Sequence, residues 1–335
     1  MIDGLVKKSL REFSPYVSAR SLYKKGILLD ANENPFETGL NRYPDPTYTE
    51  LRKALADYVG VNFKNIFVGA GSDEVLSLLG RLVLDENSEA IVFSPTYGMY
   101  KVITASCGAK FIDLPLNEIN FQIDKNLLYK KLNSKVKIVF ICSPNNPTGN
   151  LIRMEDILEL LGRFDGLVVV DEAYIEFSSV KSLASEVKDY PNLVVLRTFS
   201  KAWGLAGARV GYCVAGEEVV GYLNKLKLPY NLNSLSEKVA LDALKNSFVM
   251  KMEVRKILDE REKIKIALEA MGLRVSPSDS NFLFVRFEGA GQLVKKMAEK
   301  FKIIIRAFPD GFRVSVGLPE ENLAFINSLK KLIGK

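Results

Sequence analysis

The stretch "NLVVLRTFSKAWGLAGARVGYCVAG", residues 192–216, holds two apolar runs separated by a glycine-punctuated loop. The runs "NLVVLRTF" and "RVGYCVAG" lack the polar alternation of a half-exposed sheet, so they read as strands covered on both faces. Between them Lys201 stands beside Trp203, with Gly204, Gly207 and Gly211 following. A solvated lysine belongs on a polar helix face. At the end of an apolar strand, an amine needs a chemical reason.

The same pattern extends toward the N-terminus. "NIFVG", "EAIVFS", "AKFIDL", "KIVFICS" and "LVVVDE" are further apolar runs, alternating with helical segments such as "SDEVLSLLGRLVL" and "MEDILELLGRF". This predicts an α/β fold: a large domain over residues 40–230 with a mostly parallel sheet and right-handed crossovers. After Pro229 the pattern changes. Residues 235–271 contain neither proline nor glycine and read as one long helical region. "SNFLFVRF", "KIIIRAF" and "FRVSVG" then read as short strands, with helices at 290–301 and 319–333. Residues 231–335 are therefore expected to form a smaller α+β domain. Residues 1–39 are irregular and proline-punctuated, an arm rather than a domain.

Composition bounds the chemistry. With 335 residues the chain exceeds one ordinary core, in keeping with two domains. Its apolar runs are far shorter than the ~20 residues that span a bilayer. Residues 1–13 lack the apolar core of a signal peptide. The three scattered cysteines, Cys107, Cys142 and Cys213, fit a reducing, cytoplasmic setting better than a disulfide framework or a zinc knuckle. Lysine and arginine number 46 against 40 acidic residues, a net +6 dispersed mostly on helices. No basic stripe is interleaved with aromatics, so neither a nucleic-acid nor a membrane partner is expected. A mild positive field suits an anionic small molecule. The chain has no histidine, which excludes any His base, nucleophile or metal ligand, and with them Ser-His-Asp hydrolases. No metal is expected.

Ligands of open parallel sheets gather at the carboxyl ends of the strands, where four segments stand out. In "VGAGSDE", Gly71, Ser72 and Asp73 open a helix whose free N–H groups suit an anion; otherwise they form only a capped glycine turn. "CSPNNPTG" presents the amides of Asn145 and Asn146, or is simply a turn. "VVVDEAYIEF" ends a buried strand on Asp171, with Tyr174 three residues on. A carboxylate there needs a partner, unless it caps the next helix. The fourth segment carries Lys201. An anchored phosphate, a carboxylate for a cationic ring nitrogen and an imine-forming amine together describe a site for pyridoxal 5′-phosphate.

"SPNNPTG", "DEAY" and "SKAWGLAGARVGY" resemble the fold-type I pyridoxal-phosphate aminotransferases of the aspartate aminotransferase superfamily, over nearly the whole chain. The resemblance implies that Lys201 forms the Schiff base and that Asp171 faces the pyridine nitrogen. It places Asn146 and Tyr174 at the ring oxygen, and Gly71, Ser72, Asp73, Thr198, Ser200 and Arg209 around the phosphate. It sets Tyr97 of "SPTYGMY" against the ring, though an ordinary core tyrosine also fits there. It further implies a homodimer, with the arm in the dimer contact and packed on the small domain. Tyr43 of "NRYPDP" would then reach the neighbouring subunit's cofactor phosphate.

For the substrate, Arg306 and Arg313 lie at the ends of adjacent short strands and can converge on one doubly charged anion. "SPY" ending at Tyr16, "LDANENPF" with Asn34, and "IIIRAFPDGFRVSVG" resemble the branch of the superfamily that acts on histidinol phosphate. In that branch Tyr16, Asn34, Arg306 and Arg313 would meet the substrate, and 2-oxoglutarate and glutamate would complete a ping-pong transamination. The alternative for Tyr16 and Asn34 is an arm that only packs on the dimer. Aromatic amino acid aminotransferases and threonine-phosphate decarboxylases share these motifs, and a non-catalytic cofactor-binding regulator is a reading of another class.

Overall fold

The computed structural model describes residues 2–23 and 26–334. Seven strands form the large sheet: β1 (Ile66–Gly69), β2 (Glu89–Ser94), β3 (Lys110–Pro115), β4 (Val136–Cys142), β5 (Leu167–Asp171), β6 (Leu193–Thr198) and β7 (Gly211–Ala215). Their order is β1-β7-β6-β5-β4-β2-β3. β4, β5, β6 and β7 are buried along nearly their whole length, as the unalternating apolar runs require. Apolar layers cover both faces, one around Val139, Val170 and Val195 and the other around Phe140, Val169 and Val194.

One strand departs from the parallel expectation. β7 runs antiparallel to both β1 and β6. The link from β6 to β7 contains only the short 3₁₀ turn Ala206–Ala208, not a helix able to make a parallel crossover. The antiparallel return has a consequence for the site. Gly211 opens β7 opposite Gly69 on one side and Thr198 on the other. A Cβ there would lie 2.2 Å from the Ser72 backbone nitrogen, so only glycine permits this approach.

A second sheet, in the order β10-β11-β9-β8, is antiparallel: β8 (Arg274–Val275), β9 (Phe282–Arg286), β10 (Arg306–Phe308) and β11 (Gly311–Ser315). Its core joins Leu283, Val285 and Phe312 to the helices Ala290–Phe301 and Pro319–Ile333. Two details differ from the sequence expectation. Only Arg306–Phe308 of "KIIIRAF" is strand, and residues 303–305 lead into it unpaired. The predicted single helical region breaks at Asn246 into Ser234–Lys245 and Ser247–Ala270. Asn246 turns its side-chain amide back onto the Asp242 carbonyl at 2.9 Å, the local competition that makes asparagine a helix end without proline or glycine. Met250 and Val254 of the second helix join the large sheet's core, whereas Ile264 and Leu268 join the small one. At the N-terminus Ile2 and Val6 are buried against the large sheet's helical layer. Among the described residues no helix is long and apolar enough to cross a membrane.

Candidate active site

β1, β4, β5 and β6 all end at one edge of the large sheet. A cleft opens there, and Arg306 and Arg313 of the small sheet line its other side. Of the residues singled out in the sequence, Ser72, Asp73, Tyr97, Asn146, Asp171 and Tyr174 line it from the strand ends and loops. Thr198, Ser200, Lys201 and Arg209 complete that wall.

The helix Ser72–Val83 starts in the cleft, with Gly71 as its N-cap at φ +82°. The first N–H groups of such a helix have no partner within it and suit an anion. Gly71 is taken out of that set, because its N–H donates to the Gly69 carbonyl at 2.8 Å; the Ala70 N–H, just before the helix, donates to Glu74 Oε2 at 2.5 Å. The Asp73 carboxylate accepts from the Tyr97 hydroxyl at 3.0 Å and from Arg209 Nη2 at 3.5 Å. What Asp73 offers an anion is therefore its backbone N–H. Arg209 takes the left-handed conformation, φ +52°, and also reaches the Ser200 hydroxyl at 3.4 Å. A Cβ on Gly71 would sit 2.7 Å from the Arg209 guanidinium. Gly71 thus leaves room for the cation rather than lining the cleft itself.

Asp171 is buried, and its two oxygens take neutral donors. Tyr100 donates its hydroxyl to Oδ2 at 2.7 Å, and the Ala173 N–H donates to Oδ1 at 3.0 Å. Burial pushes the carboxyl up to about 6, with both hydrogen bonds pulling the other way. Lys201 is open to the cleft, its amine 5.6 Å from the centre of the Tyr174 ring. Protein packed about that amine lowers its pKa. Arg313 adds to the effect, and Asp171 and Asp73 oppose it. Burial raises the Tyr174 hydroxyl well above its ordinary range.

Arg306 and Arg313 are directly opposed across the β10–β11 pair. Arg313 donates to the Asn146 side-chain oxygen, which leaves the Asn146 amide nitrogen as a donor. The Arg313 Nε is buried with no hydrogen-bond partner among the described residues. Desolvation lowers the Arg313 pKa; Tyr174 raises it and Arg306 lowers it further. These features fit pyridoxal phosphate: an anion cradle, a buried carboxylate in no ion pair among the described residues, and an amine in the same cleft. Asn145 is not a site residue. Its amide is used up by Thr96, the Pro95 carbonyl and Thr148 within the loop.

The chain is matched from residue 27 to 327 by the family described as "Aminotransferase class I and II". The chain belongs to that family. A histidinol-phosphate aminotransferase of Flavobacterium psychrophilum is 40% identical over 344 residues, covering 99% of each chain. The solved histidinol-phosphate aminotransferase of Sinorhizobium meliloti in complex with pyridoxal-5′-phosphate is 26% identical, with TM-score 0.82 over 88% of this chain and 83% of that one. The L-threonine-O-3-phosphate decarboxylase of Porphyromonas gingivalis is 25% identical, with TM-score 0.76 over 88% and 92%.

Four predicted residues of this aminotransferase lie outside the cleft lining, Gly71 among them. Tyr16 is exposed. Asn34 caps its own loop, accepting from the Phe36 N–H at 2.9 Å. Tyr43 is half exposed and stacks on Tyr230. Sequence reasoning missed Tyr100, and Cys142, which lines the cleft beside Asp171. The signal for Tyr100 was present: it follows Tyr97 by three residues, and a buried tyrosine hydroxyl needs an acceptor.

Proposed function

We propose that this chain transfers an amino group between histidinol phosphate and 2-oxoglutarate, giving imidazole acetol phosphate and glutamate in histidine biosynthesis. Full-length identity near 40% to histidinol-phosphate aminotransferases supports the substrate. The observation that carries the chemistry is Lys201 and Asp171 in one cleft, faced by the opposed pair Arg306 and Arg313.

Pyridoxal phosphate, when bound, supplies an aldehyde that condenses with amines and a protonated ring that accepts electron density. The N–H groups of Ser72 and Asp73, with Thr198, Ser200 and Arg209, would hold its phosphate, and Gly71 would make room for the Arg209 guanidinium. Asp171, kept as an acceptor by Tyr100, would hold the ring nitrogen's proton. The Asn146 amide and the Tyr174 hydroxyl would take the ring oxygen, and Tyr97 would pack against the ring. The lowered pKa of Lys201 favours a neutral amine, able to attack carbonyl carbon and to carry a proton. Arg306 and Arg313 would clamp the phosphate ester of one substrate and a carboxylate of the other, as a ping-pong cycle requires.

The same reading takes the chain as a cytoplasmic homodimer, with residues 1–39 an arm, 40–230 the large domain and 231–335 the small one. Tyr43 would reach the neighbouring copy's cofactor phosphate, and Tyr16 and Asn34 would meet substrate across the assembled site. The test is a half-reaction. Cofactor-loaded protein is mixed separately with histidinol phosphate, phenylalanine or threonine phosphate, while visible absorbance and carbon dioxide are followed. A fast spectral change with histidinol phosphate and no carbon dioxide is expected. Equal or faster change with phenylalanine refutes the substrate, and carbon dioxide from threonine phosphate refutes the reaction.

A further inference from the structure

Most large apolar side chains between residues 13 and 43 are exposed, among them Leu22, Ile27 and Phe36. Apart from Ser18, the side chains this segment buries are charged. The Arg20 and Glu33 side chains are 5% and 3% exposed and meet as a two-pronged fork, at 2.6 and 2.9 Å. A buried ion pair adds little net stability, so its value here lies in fixing geometry. The fork converges on one place. Glu33 Oε1 also accepts the Tyr43 backbone N–H at 2.6 Å, Glu33 Oε2 accepts Arg42 Nη1 at 2.9 Å, and Arg20 Nη1 reaches the Tyr43 carbonyl at 3.4 Å.

The ring of Tyr43 is held independently. It stacks on Tyr230, centroids 4.4 Å apart and planes at 16°. Tyr230 itself adopts φ +55°, a costly conformation for a bulky side chain. Yet Tyr43 remains half exposed. A side chain fixed at both ends and left open to solvent is presented to something outside its own protomer.

We propose that Glu33, locked by Arg20, and Tyr230 are positioning residues for Tyr43: Glu33 fixes its backbone, Tyr230 its ring, and a second copy of this chain receives the oriented phenol. The inference rests on the reading of Tyr43 as the residue that reaches the neighbouring copy's cofactor phosphate.

The test is a double-mutant cycle on the full-length protein. Pyridoxal phosphate is titrated into cofactor-stripped wild type, Tyr43→Phe, Glu33→Gln and the double variant, with hydrogen exchange measured at the Tyr43 amide. Glu33→Gln is expected to speed that exchange and raise the Kd about tenfold, the scale of coupling between neighbouring residues. Adding Tyr43→Phe then raises it no further. Tyr230→Asn removes the stacked ring with a residue that tolerates the left-handed region, and serves where Glu33→Gln does not fold. If Tyr43→Phe weakens binding but the positioning variants do not, the inference falls and the reading of Tyr43 stands. If the losses add in full, it also falls. If Tyr43→Phe leaves the Kd unchanged, the reading of Tyr43 fails and takes the inference with it.

Discussion

Replacing Tyr100 by phenylalanine isolates what holds the charge on Asp171. The ring is fully buried and stacks on Phe140, centroids 5.1 Å apart and planes at 3°, so the substitution keeps the shape and removes one hydroxyl. That hydroxyl is one of two donors, among the described residues, to a buried carboxylate. A hydrogen bond to a charged group contributes about 1.5–3 kcal/mol, or roughly one to two pH units at 1.36 kcal/mol each. In the cofactor-free protein the Asp171 carboxyl already titrates at about 6 against an ordinary 3.8, because burial disfavours its charge.

A folded-state value above the unfolded one means that stability falls as pH rises from 3.8 through 6 and is level beyond, at a cost of about 3 kcal/mol. In Tyr100→Phe the fall continues by roughly one to two further units. Urea unfolding of the cofactor-free protein checks this. The variant is expected to be close to wild type at pH 5 and about 1.5–3 kcal/mol less stable at pH 8.5. A deficit of the same size at both pH values would show that the hydroxyl acts on packing and not on the charge of Asp171, refuting the argument.

Lys201→Ala is expected to lower kcat by at least about 10⁴-fold in the half-reaction with histidinol phosphate, because attack and proton transfer share one amine; a loss under tenfold contradicts its role. Arg313→Lys keeps the charge but loses the planar fork, so kcat/KM for the phosphate ester should fall about ten- to a hundredfold in steady-state assays. An unchanged kcat/KM would remove Arg313 from the substrate site. Gly211→Ala puts a Cβ 2.2 Å from the Ser72 nitrogen. It should cost about 1–3 kcal/mol in urea unfolding and weaken pyridoxal phosphate binding in titration. Unchanged affinity would mean that the loop at 69–72 does not shape the anion cradle.

Much of the site was legible along the chain because its parts are local. A buried strand that ends in a carboxylate, a glycine-led helix start and a lysine after an apolar run each announce themselves within a few residues. The apolar runs without alternation determined a doubly covered sheet, and the resemblance of the loops at 143–149 and 200–212 carried the family. Composition removed histidine chemistry outright.

Tertiary structure decided the rest. The turn that returns β7 antiparallel is too short for a crossover, and its direction sets Gly211 against Ser72. Tyr100 meets Asp171 across 71 positions, and Arg313 meets Asn146 across 167. The Arg20–Glu33 fork exists only because the chain doubles back on itself before Tyr43. Periodicity tells which side chains are buried, but not which buried donor faces which acceptor. That pairing depends on how the layers stack. Desolvation gives each pairing its strength, and it exists only once the chain has folded.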